Sequence, residues 1–197
     1  MTPLQIIILA AGASTRMRGA DKLLEVLDGV VQIRRITQAA LATGAPVTVA
    51  LPPDRPLRDA ALTGLAVTRL TIADAATGLS ASIRAANAVV PSGPVMLVLA
   101  DLPDLTSEDL RQMQSAFGAD TTRILRATSA GGTPGHPVIL PDWVRPELAK
   151  LAGDTGAAAI LKRHAPQVRL IALPDRHATT DLDTPEDWAA FRASTGQ

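Results

Sequence analysis

The sequence predicts a doubly wound α/β sandwich, and three observations carry that prediction. Short apolar runs alternate with longer segments of helical pattern along the whole chain. Two of the runs, "IIILA" at 6–10 and "VMLVLA" at 95–100, are apolar on both faces. Central parallel strands covered by helices on each side have that character. The third observation is size: 197 residues with 47% hydrophobic content allow one sizeable core, so 1–197 is expected to form a single domain. Aromatics make up only 2%, which leaves that core aliphatic and Ala-rich.

The elements follow in order. The first strand is expected over 4–10 and stops at a small-residue loop, "AAGASTRMRGADK". A helix is expected over 31–42, then a strand over 47–51, a helix over 57–62 and a strand over 67–72. A helix over 80–89 opens at "TGLSAS", and the most hydrophobic strand follows over 95–100. Thr106-Ser107-Glu108-Asp109 marks the start of a helix over 107–117, with a hydroxyl ahead of an acidic first turn. A strand over 123–127 comes next. The Gly/Pro-rich stretch 130–141 interrupts the sheet pattern and reads as a loop or a hairpin over a site. A helix over 156–164, a strand over 168–173 and a helix over 185–193 complete the order, the last announced by Thr184-Pro185-Glu186.

Charge and composition exclude several function classes. Lys plus Arg equals Asp plus Glu at 19 each, so the chain has no global pull toward nucleic acid or an anionic membrane. There is no cysteine, hence no disulfide framework and no thiolate metal site. The opening segment lacks a basic n-region and its apolar run is too short to span a bilayer, so a cytoplasmic protein is expected. Any anion binding must be local.

Three places carry chemistry. The first is 11–22, where Gly12 lets backbone approach an anion, Arg16 offers a planar fork and Lys22 a point charge. The loop leaves a buried strand directly, which favours a polyphosphate over a solvated basic turn. It is neither a Walker A loop nor a dinucleotide fingerprint. The second is Asp101, at the end of the most hydrophobic strand, where a carboxylate either caps the next turn or binds a cation. The third is "DLDTPEDW" at 181–188: helix capping explains part of its acidity and leaves Asp183 over. Separated carboxylates facing a basic loop suggest Mg²⁺ clamped on phosphates, since Mg²⁺ prefers one or two carboxylates plus substrate oxygens. Gly78, Ser80 and Ser82 stand at a loop-to-helix junction, where capping and a binding role are equally open; His136 lies in a Gly-rich loop and Asp154 precedes a helix, and for these two chance or capping is the cheaper explanation from residues alone.

Together these blocks resemble the nucleotidyltransferases with a MobA-like fold. "LAAGASTRMRGADKLL" is similar to the signature loop, "GLSASIR" to the Gly-x-Ser-x-Ser helix start and "LADLPD" to the metal-binding Asp segment. "GTPGHPVI", "LAGDTGAAAIL" and "DLDTPEDW" resemble blocks of the molybdenum cofactor cytidylyltransferase branch. The resemblance implies a Rossmann-like, three-layer α/β/α sandwich with a mostly parallel central sheet. It implies transfer of CMP from CTP to molybdopterin with release of pyrophosphate, and a molybdoenzyme as a further partner. By carry-over, Leu9, Ala10, Ala11, Gly12, Gly78, Ser80 and Ser82 border the nucleotide, and Arg16 and Lys22 hold and neutralise its triphosphate. Asp101 and Asp183 bind Mg²⁺, with Asp181 the alternative to Asp183, while His136 and Asp154 face the acceptor. Ala11 stands where guanylyltransferases usually carry Gly, a cytidylyl trait. The long spacing in "RMRGADK" is closer to the guanylyl type, and Val30-Val31-Gln32-Ile33 stands where a Pro-Leu pair is customary. Guanylyl transfer, a sugar- or alditol-phosphate acceptor, and a non-catalytic cofactor chaperone are the competing readings. The loop "LPPD" at 51–54 has no placed counterpart.

Overall fold

A computed structural model describes residues 3–153 and 156–195. Nine strands and seven α-helices occur among them. In chain order these are β1 (Gln5–Leu9), β2 (Val26–Leu27), β3 (Val30–Val31), α1 (Gln32–Leu41), β4 (Val47–Leu51), α2 (Pro56–Ala61), β5 (Thr68–Thr71) and α3 (Leu79–Val89). Then come β6 (Val95–Leu99), α4 (Ser107–Ala119), β7 (Ile124–Thr128), β8 (Pro134–Leu140), α5 (Arg145–Leu148), α6 (Ala158–Arg163), β9 (Val168–Ala172) and α7 (Pro185–Thr195).

Seven strands form one sheet in the order β5-β4-β1-β6-β8-β7-β9, and β2 and β3 pair separately as a small antiparallel ribbon. Every pairing in the large sheet is parallel except those of β8 with β6 and β7. All five residues of β1 and of β4 are buried, as two-sided apolar strands require. On one face, Ile33, Ile36 and Ala40 of α1 and Leu110, Met113 and Phe117 of α4 pack on Ile6, Ile8, Met96 and Val98. On the other, Ala81, Ile83 and Ala86 of α3 with Ile160 and Leu161 of α6 pack on Ile7, Leu97 and Val138. This is the three-layer, mostly parallel Rossmann-like sandwich. The burial of α1 recurs at 32, 33, 36, 37 and 40, the stripe that a helix lays on a sheet.

The stretch 130–141 takes the hairpin form of the two that the sequence allows: it supplies β8, which turns back antiparallel on β7 and is inserted between β6 and β7 as a full strand of the sheet. Its apolar half, Val138–Leu140, pairs with Leu97–Val95, whereas Pro134, Gly135 and Pro137 disguise the other half. Both helix starts read from hydroxyls hold. Thr106 and Asp109 form a reciprocal capping box at α4, and at α7 the Asp187 amide donates to the Thr184 hydroxyl while the Asp183 and Thr184 amides donate to Asp187. Trp188 is fully buried against Met17, Leu27 and Leu182, which seats α7 beneath the loop after β1. Among the described residues no helix is long and apolar enough to cross a membrane.

Candidate active site

The chain moves outward from β1 to β4 and β5, then returns to place β6 on the other side of β1. That reversal opens a crevice at the carboxyl ends of β1 and β6, the place where open α/β sheets hold ligands. A cavity of about 550 Å³ lies there. Leu9 to Arg16, Lys22, Gly78, Ser82, Asp101, Asp181 and Asp183 line it, as do Pro52, Asp54 and Arg55 of the loop after β4.

The loop after β1 is held in an unusual backbone. Ser14 and Arg18 both adopt left-handed conformations, φ 52°, flanking a single 3₁₀ turn over Thr15–Met17. Among the described residues, nothing accepts a hydrogen bond from the amides of Ala11, Gly12 or Ala13. A side chain added at Gly12 would meet nothing within 4 Å, so the glycine keeps cavity space open. Lys22 begins a second 3₁₀ turn over Lys22–Leu24, capped by the Asp21 carboxylate on the Leu23 amide.

Three carboxylates meet opposite this loop. Asp101, Asp181 and Asp183 each place an oxygen within 4.8 Å of the others. Lys22 Nζ stands among them, 2.5 Å from Asp101, 2.7 Å from Asp183 and 3.6 Å from Asp181. Arg16 reaches Asp183 at 2.7 Å from an exposed position. Burial works against the Lys22 ammonium, but the charge of Asp101 and bonds to Asp101 and Asp183 outweigh it and hold its pKa above 10.5. Burial, together with the neighbouring Asp101 charge, pushes the Asp181 carboxyl up to about 6. Burial and the negative charges of Asp101 and Asp183 together outweigh the Lys22 ammonium at this carboxyl. Asp101 Oδ1 is buried with no hydrogen-bond partner. An orphaned carboxylate oxygen inside a three-carboxylate cluster is a donor set suited to a hard divalent cation, so the residues present fit Mg²⁺.

The remaining expected residues divide. Gly78 and Ser82 line the cavity, whereas the Ser80 hydroxyl donates to the Ala152 carbonyl at 3.2 Å, outside it. His136 sits on β8 between the charges of Arg126 and Asp101. Burial first, and then Arg126, lower its pKa to about 4, against the opposing pull of Asp101. Asp154 lies outside the described residues. Sequence reading passed over Arg58, which is fully buried behind the loop and bonded to it at several points. An arginine at the third position of a short helix carries no signal of that. It also left Asp181 as second choice, although its alternation with Asp183 about Leu182 could have flagged both.

Fold and site together define a Rossmann-like α/β protein of the nucleotidyltransferase class. The chain belongs to the MobA-like NTP transferase family, whose domain model matches residues 6–168. That match takes in the loop after β1 and Asp101, and ends before Asp181 and Asp183. The chain is 25% identical to a molybdenum cofactor guanylyltransferase of Burkholderia vietnamiensis over 209 residues, 97% of this chain and 91% of that one. It is equally 25% identical to a nicotine blue oxidoreductase of Paenarthrobacter nicotinovorans, over 91% of this chain and 92% of that one. A bifunctional GlmU of Leifsonia xyli is 33% identical over 135 residues; the match takes in 64% of this chain and only 28% of that protein's length. Among solved structures, Rv0371c of Mycobacterium tuberculosis superposes with a TM-score of 0.83 at 27% identity, covering 96% of this chain and 97% of that one. Rv0371c has also been solved in complex with manganese, at TM-score 0.81 and 25% identity, covering 98% of this chain and all of that one.

Proposed function

We propose that this chain, acting as one domain over 1–197 in the cytoplasm, is a cytidylyltransferase that moves CMP from CTP to molybdopterin and releases pyrophosphate. The observation that carries the reading is the meeting of Asp101, Asp181 and Asp183 with Lys22 and Arg16 across the β1/β6 crevice. In the reaction, an oxygen of the acceptor's phosphate forms a bond to the α-phosphorus as the bond from that phosphorus to the bridging β-phosphate oxygen breaks. The electron pair leaves with pyrophosphate. A phosphate acceptor is already ionised, so no side chain need take its proton. Positioning and charge neutralisation carry the rate.

Leu9 to Gly12, Gly78 and Ser82 border the nucleotide, with the loop amides on the phosphate side; Ser80 supports that wall through Ala152. Arg16 and Lys22 neutralise the triphosphate. Asp101 with Asp183 and Asp181 would hold Mg²⁺, which when bound supplies charge neutralisation at the phosphates. His136 and Asp154 are assigned to the acceptor by the family resemblance alone, and a molybdoenzyme receives the product. Ala11, 7% exposed in the cavity wall, narrows the space beside a purine and favours CTP. One methyl supplies roughly 1–3 kcal/mol of discrimination.

The test is kcat/KM for pyrophosphate release with each of the four triphosphates, with molybdopterin as acceptor and Mg²⁺ present. CTP is expected to lead. A GTP preference would overturn the cytidylyl assignment alone. Absence of release with every triphosphate would overturn molybdopterin as the acceptor.

A further inference from the structure

Arg58 is a cation buried in α2 that has no access to the cavity. Its side chain is 0% exposed and it is absent from the cavity wall, yet all of its polar contacts go to the loop after β1. Nε and Nη2 grip the two oxygens of Asp21 at 2.7 and 2.8 Å, and Nη2 also donates to the Ser14 hydroxyl at 3.0 Å. Nη1 donates to the carbonyls of Ala10 at 2.6 Å and Gly12 at 2.8 Å. One guanidinium therefore holds the loop at four residues.

Two consequences follow from ordinary peptide geometry. The carbonyl of one residue and the amide of the next point in opposite directions across a trans peptide. With the Ala10 and Gly12 carbonyls turned back onto Arg58, the amides of Ala11 and Ala13 are turned away from it. Both residues line the cavity and neither amide has an acceptor among the described residues. Asp21 in turn caps the turn that begins with Lys22, so the same guanidinium fixes where the Lys22 side chain starts. A buried ion pair is a poor device for stability, because well-packed apolar residues of similar volume do as well or better. Holding a polar loop in one shape is the better account of this one.

Resting on the nucleotidyltransferase reading, we propose that Arg58 is a positioning residue: through Ala10, Gly12, Ser14 and Asp21 it presets the loop's amides and Lys22 for a triphosphate it never touches. The test uses the full chain, with CTP plus Mg²⁺ and inorganic triphosphate as probes in calorimetric titration, and thermal melting alongside. In the double variant Arg58→Met, Asp21→Asn, both charges vanish, and Asn keeps an oxygen for the Leu23 amide. Its melting temperature should fall only by what the two carbonyls left without a donor cost, with a single cooperative transition retained. Its dissociation constants for both probes should rise about tenfold or more, as loss of preset geometry dictates. Arg58→Lys, which keeps the charge but not the fork, should fall between. Binding within about twofold of the unaltered protein in the double variant, or in Arg58→Lys should the double variant fail to fold, overturns this role and leaves the functional reading intact. Failure of the unaltered protein to bind either probe overturns the functional reading and this role together.

Discussion

The two halves of the sheet solve the same problem differently. On one side, β5, β4, β1 and β6 run parallel, and the loop after β1 is held from behind by Arg58. On the other, β8 runs against its neighbours, and the segment after β9 is laid across its upper end. That crossing is close: Ala130 and His136 donate to the Asp175 and Ala178 carbonyls, and His177 pairs with the buried Asp109 at 2.8 Å. Asp101 belongs to the first half, whereas Asp181 and Asp183 arrive with the second. The carboxylate cluster is therefore a joint between a preset half and a half that depends on one tight crossing.

The largest effect should come from the joint itself. Asp101→Asn keeps the size of the side chain and a neutral acceptor but removes the charge whose Oδ1 is orphaned. Turnover with Mg²⁺ should fall on the order of 10²–10³-fold, comparable to losing a preorganised electrostatic group, while the melting temperature stays near its original value. Intact turnover with a lowered melting temperature would make Asp101 a structural residue.

Lys22 bridges the halves, and its removal should have two effects of opposite sign. Lys22 and a divalent cation would compete for the charge of the same two carboxylates, Asp101 and Asp183. In Lys22→Ala, kcat/KM should drop by about 10²-fold, whereas Mn²⁺ should bind the nucleotide-free protein more tightly. Arg16→Ala should share the kinetic loss with a smaller gain in metal affinity, since Arg16 meets Asp183 alone of the three carboxylates and does so from 67% side-chain exposure. Normal kinetics in either variant would remove that residue from the mechanism.

The second half can be loosened at one atom. A Cβ at Gly135 would lie 1.9 Å from the Ala178 carbonyl oxygen and 2.7 Å from its carbon. Backbone cannot yield as a flexible side chain can, so Gly135→Ala should destabilise by about 1–3 kcal/mol, as overpacking does. Because the displaced segment leads to Asp181 and Asp183, Mn²⁺ affinity should fall as well. Unchanged melting and metal binding would show that the crossing does not govern the cluster.

This contrast also explains what could be read from the residues alone. The first half was legible because β1 and β6 are apolar on both faces, and because a small-residue loop with Arg16 and Lys22 stops one of them abruptly. Asp101 was legible as an acid at the end of the most hydrophobic strand. In the second half, β8 was hidden by Pro134, Gly135 and Pro137, whose presence answers to the crossing segment rather than to the strand. Arg58 was hidden for another reason: its partners are carbonyls of residues 10 and 12, and contacts between backbone and a side chain 46 or 48 positions away leave no pattern in sequence. The place of Lys22 among acids 79 to 161 positions distant is equally a property of the folded sheet.

The smallest effect separates the halves by pH. His136 lies on β8, faced by Arg126 and Asp101, and burial followed by the Arg126 charge brings its pKa from 6.5 to about 4. A group held neutral in the folded state binds fewer protons there than in the unfolded chain, so stability rises with pH across that interval. The contribution is complete above pH 6.5 and is lost as the pH falls toward 4. By pH 5.5 about 1.4 kcal/mol of it is lost in the metal-free protein. His136→Gln, which cannot titrate, should flatten the dependence of unfolding free energy between pH 7 and 5.5 by about that amount. Denaturant unfolding of the two proteins at matched pH measures it. Parallel curves would mean that His136 is open to water in the folded protein and that the second half of the cleft is wetter than its packing suggests.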